Sequence, residues 1–578
     1  MMRLGVSSLA LARVGIVAAV VLACWGMDAN VARAGGVELP SAGTRALGRG
    51  GAAAARADDP MTLLFNPAGL ARTPGIQLSL QTHLIFYSAC FQRFGTYGGY
   101  PSPPPDRAAI GDDRFRGDWW ADGRTGTTAF NPEINSRFSG DVSDLPFPEV
   151  CNSAPPGIVP ELVLTARLNK FWGISFGVVA PAAVGRTMWG SRSNGVVGTV
   201  DGLPAPTRYA LIEENLILAF PTVGVGYRPH PAVSIGASFG WGIAPVIDLT
   251  TMTRALRGED FQGDVLTELS AQDWFVPRIT GSVHVVPHDN IDIVASFTWQ
   301  DDLNADGDLS LTTGYYRPDD GDYPLDRVTV PGVAVEAPLP WNAALSFRYA
   351  DRIKPRPTDP GLEARLTRRV EDAMQNERWD VELDLVYEMN SRVDRFTVNL
   401  PPCPPTAACN MGRWEVQADN GLFQGIPPSL SLEKQWRDQL SLRLGGDWNF
   451  IPGVASGRLG FSYETKGVRD GFEQLDFLPL QRFGLHVGFT FRIAKFFDVS
   501  IAYARIFQST TTVTLEQAAL HQVNAEARIA ELGCQEDPSR ECDRSDAQGT
   551  SGEGTVINAG RYTSSYDMLS LGLTYHFR

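Results

Sequence analysis

The sequence predicts an all-β protein, a transmembrane antiparallel β-barrel of about fourteen strands. Three observations lead there. Segment after segment alternates between an apolar face ending in aromatics and a face of small or polar residues. The links between segments are short on one side and long on the other. Beyond the N-terminal region, no apolar run is long enough to cross a bilayer as a helix.

The alternation is clearest in "SYDMLSLGLTYHFR". Leu569, Leu571, Leu573, Tyr575 and Phe577 share one face, and Met568, Ser570, Gly572, Thr574 and His576 share the other. "RFGLHVGFTFR", "VSIGASFGW" and "WNAALSFRY" repeat it. In "WDVELDLVYE", Trp379, Val381, Leu383, Leu385 and Tyr387 lie opposite Asp380, Glu382 and Asp384. A soluble sandwich also alternates. Aromatics at strand ends, and glycine, serine and charge on the opposite face, favour a membrane wall around a polar lumen.

Short links join 160–168 to 171–182, 217–228 to 232–247, 276–286 to 290–300, 438–450 to 456–466 and 482–493 to 496–507. Long links occupy 88–159, 183–207, 248–275, 467–481 and 508–561. Strands at 74–87, 334–350, 378–398 and 562–577 complete the set. "SLSLE" at 429–433 follows Pro427-Pro428 and is assigned to a loop, which keeps the strand number even. Residues 351–377 are long for a periplasmic turn. Leu362, Leu366, Val370 and Met374 recur there every four residues, which predicts a short helix.

The chain starts with Arg3 and Arg13 and an apolar run from Val14 to Cys24, too short to span as a helix. Ala32-Arg33-Ala34 then reads as a cleavage site, so 1–34 is expected to be a signal peptide. "VLAC" at Cys24 offers a rival lipoprotein cut. A net charge of −15 argues against nucleic acid as a partner. Of seven cysteines, six remain after Cys24 leaves with the signal. In an exported chain they read as three loop disulfides, Cys90–Cys151, Cys403–Cys409 and Cys534–Cys542. Neither a CxxC nor a Cys-His spacing supports a metal.

Between the signal and the first strand lies "GVELPSAGTRALGRGGAAAARADDPMTLLFNPAGL". Gly48, Gly50, Gly51 and Ala52 to Ala55 permit close passage through a crowded space. Asp58, Asp59 and Pro60 form a turn, and Asn66-Pro67-Ala68-Gly69 forms an Asx-type turn with a fixed φ. This stretch, together with "SFGVVAPAAVGRTMWG", "LPWNAALSFRY" and the terminal strand, resembles the outer-membrane transporters of long-chain fatty acids and other hydrophobic compounds, the FadL-like family. The resemblance covers most of the mature chain. It implies that 35–73 is a plug filling the lower lumen, with Gly48, Asp58, Asp59, Asn66, Pro67, Ala68 and Gly69 as gating residues, and that 74–578 is the barrel. Ala180 and Pro181 correspond to the family's kink in strand three. Proline cannot donate to the ladder, so a local gap in the wall is expected there, and the resemblance makes it a lateral exit. Arg578 behind Phe577, the 351–377 insertion and the loop cysteines depart from the family's pattern.

The resemblance implies passive uptake of hydrophobic small molecules, fatty acids or hydrocarbons, in the outer membrane of a Gram-negative-type bacterium. A monomer without cofactor, in contact with outer-membrane lipid, is expected. The alternatives are an outer-membrane lipid hydrolase and a structural or adhesive barrel. Two G-x-S-x-G matches, around Ser175 and Ser238, fall on alternating strand positions rather than on a strand-turn-helix elbow, so no enzymatic role is assigned. Asp302, Asn304, Asp306 and Gly307 have calcium-loop spacing, but Thr313 stands where the bidentate Glu belongs. A solvated acidic strand end is the reading adopted.

Overall fold

The computed structural model describes residues 42–96, 146–180, 185–193, 196–200, 203–254, 264–312, 327–353, 372–404, 409–410, 413–417, 423–426, 428–494, 496–522 and 555–577. The predicted signal peptide, Pro181, Cys534, Cys542 and the helix residues Leu362, Leu366 and Val370 lie outside them. Met374 lies within them, buried in a four-residue helix, Ala373–Asn376.

Fourteen strands close into one antiparallel barrel. They are β1 (Ile76–Arg93), β2 (Gly157–Arg167), β3 (Trp172–Val179), β4 (Glu213–His230), β5 (Val233–Arg254), β6 (Asp264–His288) and β7 (Ile291–Gln300, continued by Leu303–Thr312). β8 is Arg327–Ala337 followed by Asn342–Arg352, and β9 is Glu377–Glu388 followed by Arg395–Asn399. Then come β10 (Ser429–Glu433, then Gln439–Ile451), β11 (Ala455–Glu464), β12 (Arg482–Ile493), β13 (Phe497–Gln508) and β14 (Gly560–Phe577). β1 pairs with β14 from Ile76↔Phe577 to Arg93↔Gly560, so the last strand seals the first. A closed wall satisfies its backbone groups internally, which a bilayer requires.

Polarity is inverted relative to a soluble sandwich. Leu459 on β11 is 70% exposed, whereas Asp380 on β9 is 4% exposed. The apolar faces read from the sequence point outward, as Phe489 and Phe491, Phe347 and Tyr349, and Leu571 and Tyr575 show. Gln77, Ser79, Gln81 and His83 of β1 point inward and are buried. The polar lumen is therefore filled rather than open.

One assignment is corrected. Ser429–Glu433 is a strand, paired with Arg395–Asn399, not a loop. The strand number stays even because β7 to β10 each continue past an irregular step into an upper tier: Leu303–Thr312 pairs with Arg327–Ala337, which pairs with Arg395–Asn399. The calcium-like stretch lies on that tier. Its Asp306 stands opposite Ala334 in the ladder, and Asp302 accepts from the Leu339 N–H. Ser175 and Ser238 sit on inward positions of β3 and β5, and Ser175 Oγ donates to the Leu164 carbonyl.

Cys90 and Cys151 are bonded across directly opposed ladder positions, with Cα atoms 4.0 Å apart. Cys403 is also disulfide-bonded. The Cys90–Cys151 bridge spans 61 residues, so on the loop-entropy model the double Cys→Ser variant should lose about 4 kcal/mol. The check is the temperature at which the folded band shifts in an unreduced gel, and no shift relative to wild type would count against a stabilising bridge.

Candidate functional site

The segment ahead of β1 occupies the lumen. It comprises α1 (Thr44–Gly48), α2 (Thr62–Phe65) and a 3-10 turn at Pro67–Ala71. These pieces are too short to be stable alone, so their contacts with the wall hold them.

The first half of the plug lies against β10 to β12. A Cβ on Gly460 would fall 2.1 Å from both the Arg49 carbonyl carbon and the Gly50 nitrogen, and one on Gly445 would fall 2.2 Å from the Arg49 oxygen. At Gly48 it would fall 2.8 Å from Arg458 Cδ. The second half lies against the opposite wall. A Cβ on Gly236 of β5 would fall 2.3 Å from the Ala68 nitrogen, and one on Gly173 of β3 would fall 2.0 Å from the Leu70 oxygen. Plug backbone thus packs directly on wall backbone at both ends.

Charge then fixes the first half. Arg49, 1% exposed, reaches Asp380 (2.9 Å), Glu382 (3.0 Å) and Asp447 (2.7 Å). Arg56 reaches Asp58 (3.1 Å) and Asp447 (2.8 Å), and Arg45 reaches Asp498 (2.6 Å). The acid row of β9 also takes plug backbone: Asp384 Oδ2 accepts from Ala53 N–H at 3.1 Å, and Glu382 Oε1 accepts from Ala55 N–H at 2.6 Å. Arg348 on β8 binds Asp380 from the wall side at 2.6 Å.

The predicted plug residues divide by role. Burial opposes ionisation of Asp58, but Arg56 and Arg45 outweigh it and hold the carboxyl below its ordinary range. Burial raises the pKa of Asp59, with Arg45 opposing, and its Oδ1 accepts from the Met61 N–H at 2.8 Å. Asn66 is fully buried and caps the 3-10 turn by accepting from Gly69 N–H at 3.2 Å. Pro67 starts that turn, where a missing N–H costs nothing. Gly69 is packed so tightly that a Cβ would lie 2.6 Å from Thr62 Cγ2. The arginines were not legible as anchors. The inward acid row of β9 was visible as a pattern but carried no sign of its partner.

Above the plug, the interior turns apolar. Leu63, Leu64 and Met61 of the plug belong to one contiguous buried cluster with Leu216 and Phe220 of β4 and Val179 of β3. The same cluster includes Leu303, Leu339, Val393, Trp436 and Phe477. Within it Trp436 and Phe477, with Phe396 packed against them, meet edge to face, with Trp436 and Phe477 centroids 5.6 Å apart.

Val179 of this cluster ends the described part of β3, and residues 181–184 beyond it lie outside the described residues. Among the described residues the β3–β4 ladder runs to Val179↔Phe220, and contact with β4 continues where Leu216 N–H donates to the Gly185 carbonyl at 3.0 Å and at Arg186↔Asn215. On the other side, the β2–β3 ladder stops at Leu162↔Val178, which leaves Gly157–Glu161 without a β3 partner among the described residues. Ala180, the last described residue after β3, is partly buried against the cluster that includes Leu47, Ile85 and Val159. On the lipid side of β2 to β6, residues including Leu164, Phe176, Val223, Phe239 and Ile279 line an apolar groove of about 630 Å³.

No protein-family model and no curated protein sequence matches the chain. Solved structures do share its fold. A FadL homologue from Pseudomonas aeruginosa aligns with a TM-score of 0.60 at 13% identity, over 94% of this chain and 100% of that one. The Pseudomonas putida toluene transporter TodX aligns at 0.52 and 14% identity, over 95% and 100%. The Ralstonia pickettii toluene transporter TbuX aligns at 0.52 and 13% identity, over 93% and 98%. The chain therefore has the fold of these proteins.

Proposed function

We propose that the chain is an outer-membrane channel for passive uptake of hydrophobic compounds. The observation that carries this reading is the contiguous apolar cluster that joins Trp436 and Phe477 to the plug and includes Val179 next to Ala180 on strand three. Hydrophobic cargo entering at Phe396, Trp436 and Phe477 exchanges water for apolar side chains. The plug, wedged on glycines and fixed by ion pairs, closes the route straight down. Release then runs sideways past Ala180 and Pro181 into lipid, where the outer groove is already apolar.

The cargo class favoured is uncharged, such as monoaromatic hydrocarbons. Cations bordering the cluster already face carboxylates: Arg392 lies 3.2 Å from Asp302 and stacks on Trp341 at 3.9 Å, and Lys434 is paired with Asp476. A fatty-acid carboxylate would have to displace one of them, and long-chain fatty acids are the second reading. Uptake of radiolabelled toluene and of palmitate, in cells with and without the protein, separates the two. Failure to accelerate either would defeat the transport reading.

Pro181→Val restores a backbone donor on strand three. At equal amounts of folded protein, toluene uptake should fall close to background while solute leakage stays low. Undiminished uptake would mean that cargo leaves through the plug instead.

A further inference from the structure

Asn66 is tied to the wall in a way that fixes where protons sit. Its Nδ2 donates to the Ala54 carbonyl at 2.8 Å, and its Oδ1 accepts from Gly69 N–H at 3.2 Å. A carbonyl can only accept and an N–H can only donate, so the amide orientation is determined by its neighbours. The second hydrogen on Nδ2 points at His284 Nδ1 on β6, 3.2 Å away. That ring nitrogen must therefore be the bare acceptor. The proton then belongs on Nε2, which lies 3.0 Å from Asp292 Oδ1 on β7. Asp292 is itself held in place by Arg348 Nη1 at 3.3 Å. Ser282, one inward position away on β6, completes the seat: its Oγ accepts from Ala68 N–H at 2.8 Å and donates to Asn66 Oδ1 at 3.0 Å. His284, Asp292, Ser282 and Asn66 are all at most 7% exposed.

We infer that Asp292 and His284 are positioning residues for the plug: the carboxylate selects one imidazole tautomer, and that tautomer seats Asn66. The opposite wall uses the other form. His486 Nδ1 lies 2.9 Å from the Leu47 carbonyl and must donate, while its Nε2 accepts from Ser462 Oγ at 2.9 Å. Two histidines in opposite tautomers thus grip the plug from its two sides, where steric wedging alone would not distinguish ring nitrogens. In Asp292→Asn the new amide can present a donor to Nε2. Nδ1 then carries the proton and faces the donor Nδ2 of Asn66, so two donors oppose each other in a buried site. The residue types are ordinary; their joint proton arrangement makes the seat conditional on one carboxylate 8 positions from the histidine.

The role assigned here rests on the plug acting as the closure proposed above, and the test keeps the two separable. Potassium chloride current through purified, full-length barrels in planar bilayers reports plug seating without any cargo. Asp292→Asn and His284→Leu should each raise the current by about tenfold, the effect of unbalancing one buried hydrogen-bonded site. His284→Asn keeps an acceptor near the Nδ1 position and should stay close to wild type, which a general packing role would not predict. Heat-modifiable migration identifies folded barrels for every variant. In protein with 15N-labelled histidine, the ring shifts should show Nδ1 of His284 bare and Nδ1 of His486 protonated, and Asp292→Asn should reverse only the first. A silent Asp292→Asn, or a His284→Asn as leaky as His284→Leu, would overturn the assignment. If the current pattern holds while wild-type protein carries neither toluene nor palmitate, the relay stands and the transport reading falls. If cargo is carried and the current never changes, the relay alone falls.

Discussion

Asp380→Ala should convert a closed barrel into a conducting one. Asp380 receives Arg49 (2.9 Å) and Arg56 (3.4 Å) from the plug and Arg348 (2.6 Å) from the wall, and also accepts from the Asp447 N–H at 2.7 Å. Removing one partner of a buried ion cluster leaves its charges uncompensated and costs about 3–5 kcal/mol. The wall has its own ladder between β8, β9 and β10, so the strain falls on the plug. The equilibrium between seated and displaced plug should move by about two to three and a half orders of magnitude. Asp380→Asn keeps volume and one acceptor and should give an intermediate current. Potassium chloride conductance of folded protein checks both, and a wild-type trace from Asp380→Ala would show that the ion cluster does not hold the plug.

Gly460→Ala should act by steric displacement at the same seat. The added Cβ would sit 2.1 Å from two backbone atoms of the plug, with no flexible side chain to yield. Gly460 is laddered to Gly445 on one side and His486 on the other, so the wall has little freedom to retreat. Overpacking of this kind costs about 1–3 kcal/mol or more, and the plug should leave. Gly281→Ala is the matched control, because its Cβ would meet nothing within 4 Å. Conductance should rise for Gly460→Ala and not for Gly281→Ala. Equal currents would remove close backbone packing as the reason for glycine here.

The wall was legible because a lipid-facing strand must alternate, and period two survives in a single sequence. Leu571, Tyr575, Phe489 and Phe491 were placed on the outer face from that period alone, and they lie there. The upper tier was not legible: Ser429–Glu433 is short and follows Pro427-Pro428, and counted as a separate strand it made the number odd, whereas it is the first part of β10. The acid row Asp380, Glu382 and Asp384 was seen as the inner face of a strand. Its purpose was hidden because Arg49 and Ala53 lie 331 residues away in sequence. Asn66 and Pro67 stood out through their resemblance to a known plug, but the histidine that receives Asn66 is an isolated residue 218 positions further on.

The seal between β1 and β14 also sets an order of assembly. The plug directly precedes β1, and its anchors are spread over β6, β9, β10 and β13. Closure cannot occur until Gly560–Phe577 has been made, and by then every acid that binds the plug has been exported. Contacts of such long sequence separation form slowly. Enclosure of the plug while the sheet is still an open ribbon would let Arg45, Arg49 and Arg56 neutralise wall carboxylates that otherwise repel one another as the ribbon curls. On that order, Arg49→Ala should slow the appearance of the heat-modifiable folded band in cells as well as raise conductance, and folding at the wild-type rate would count against it.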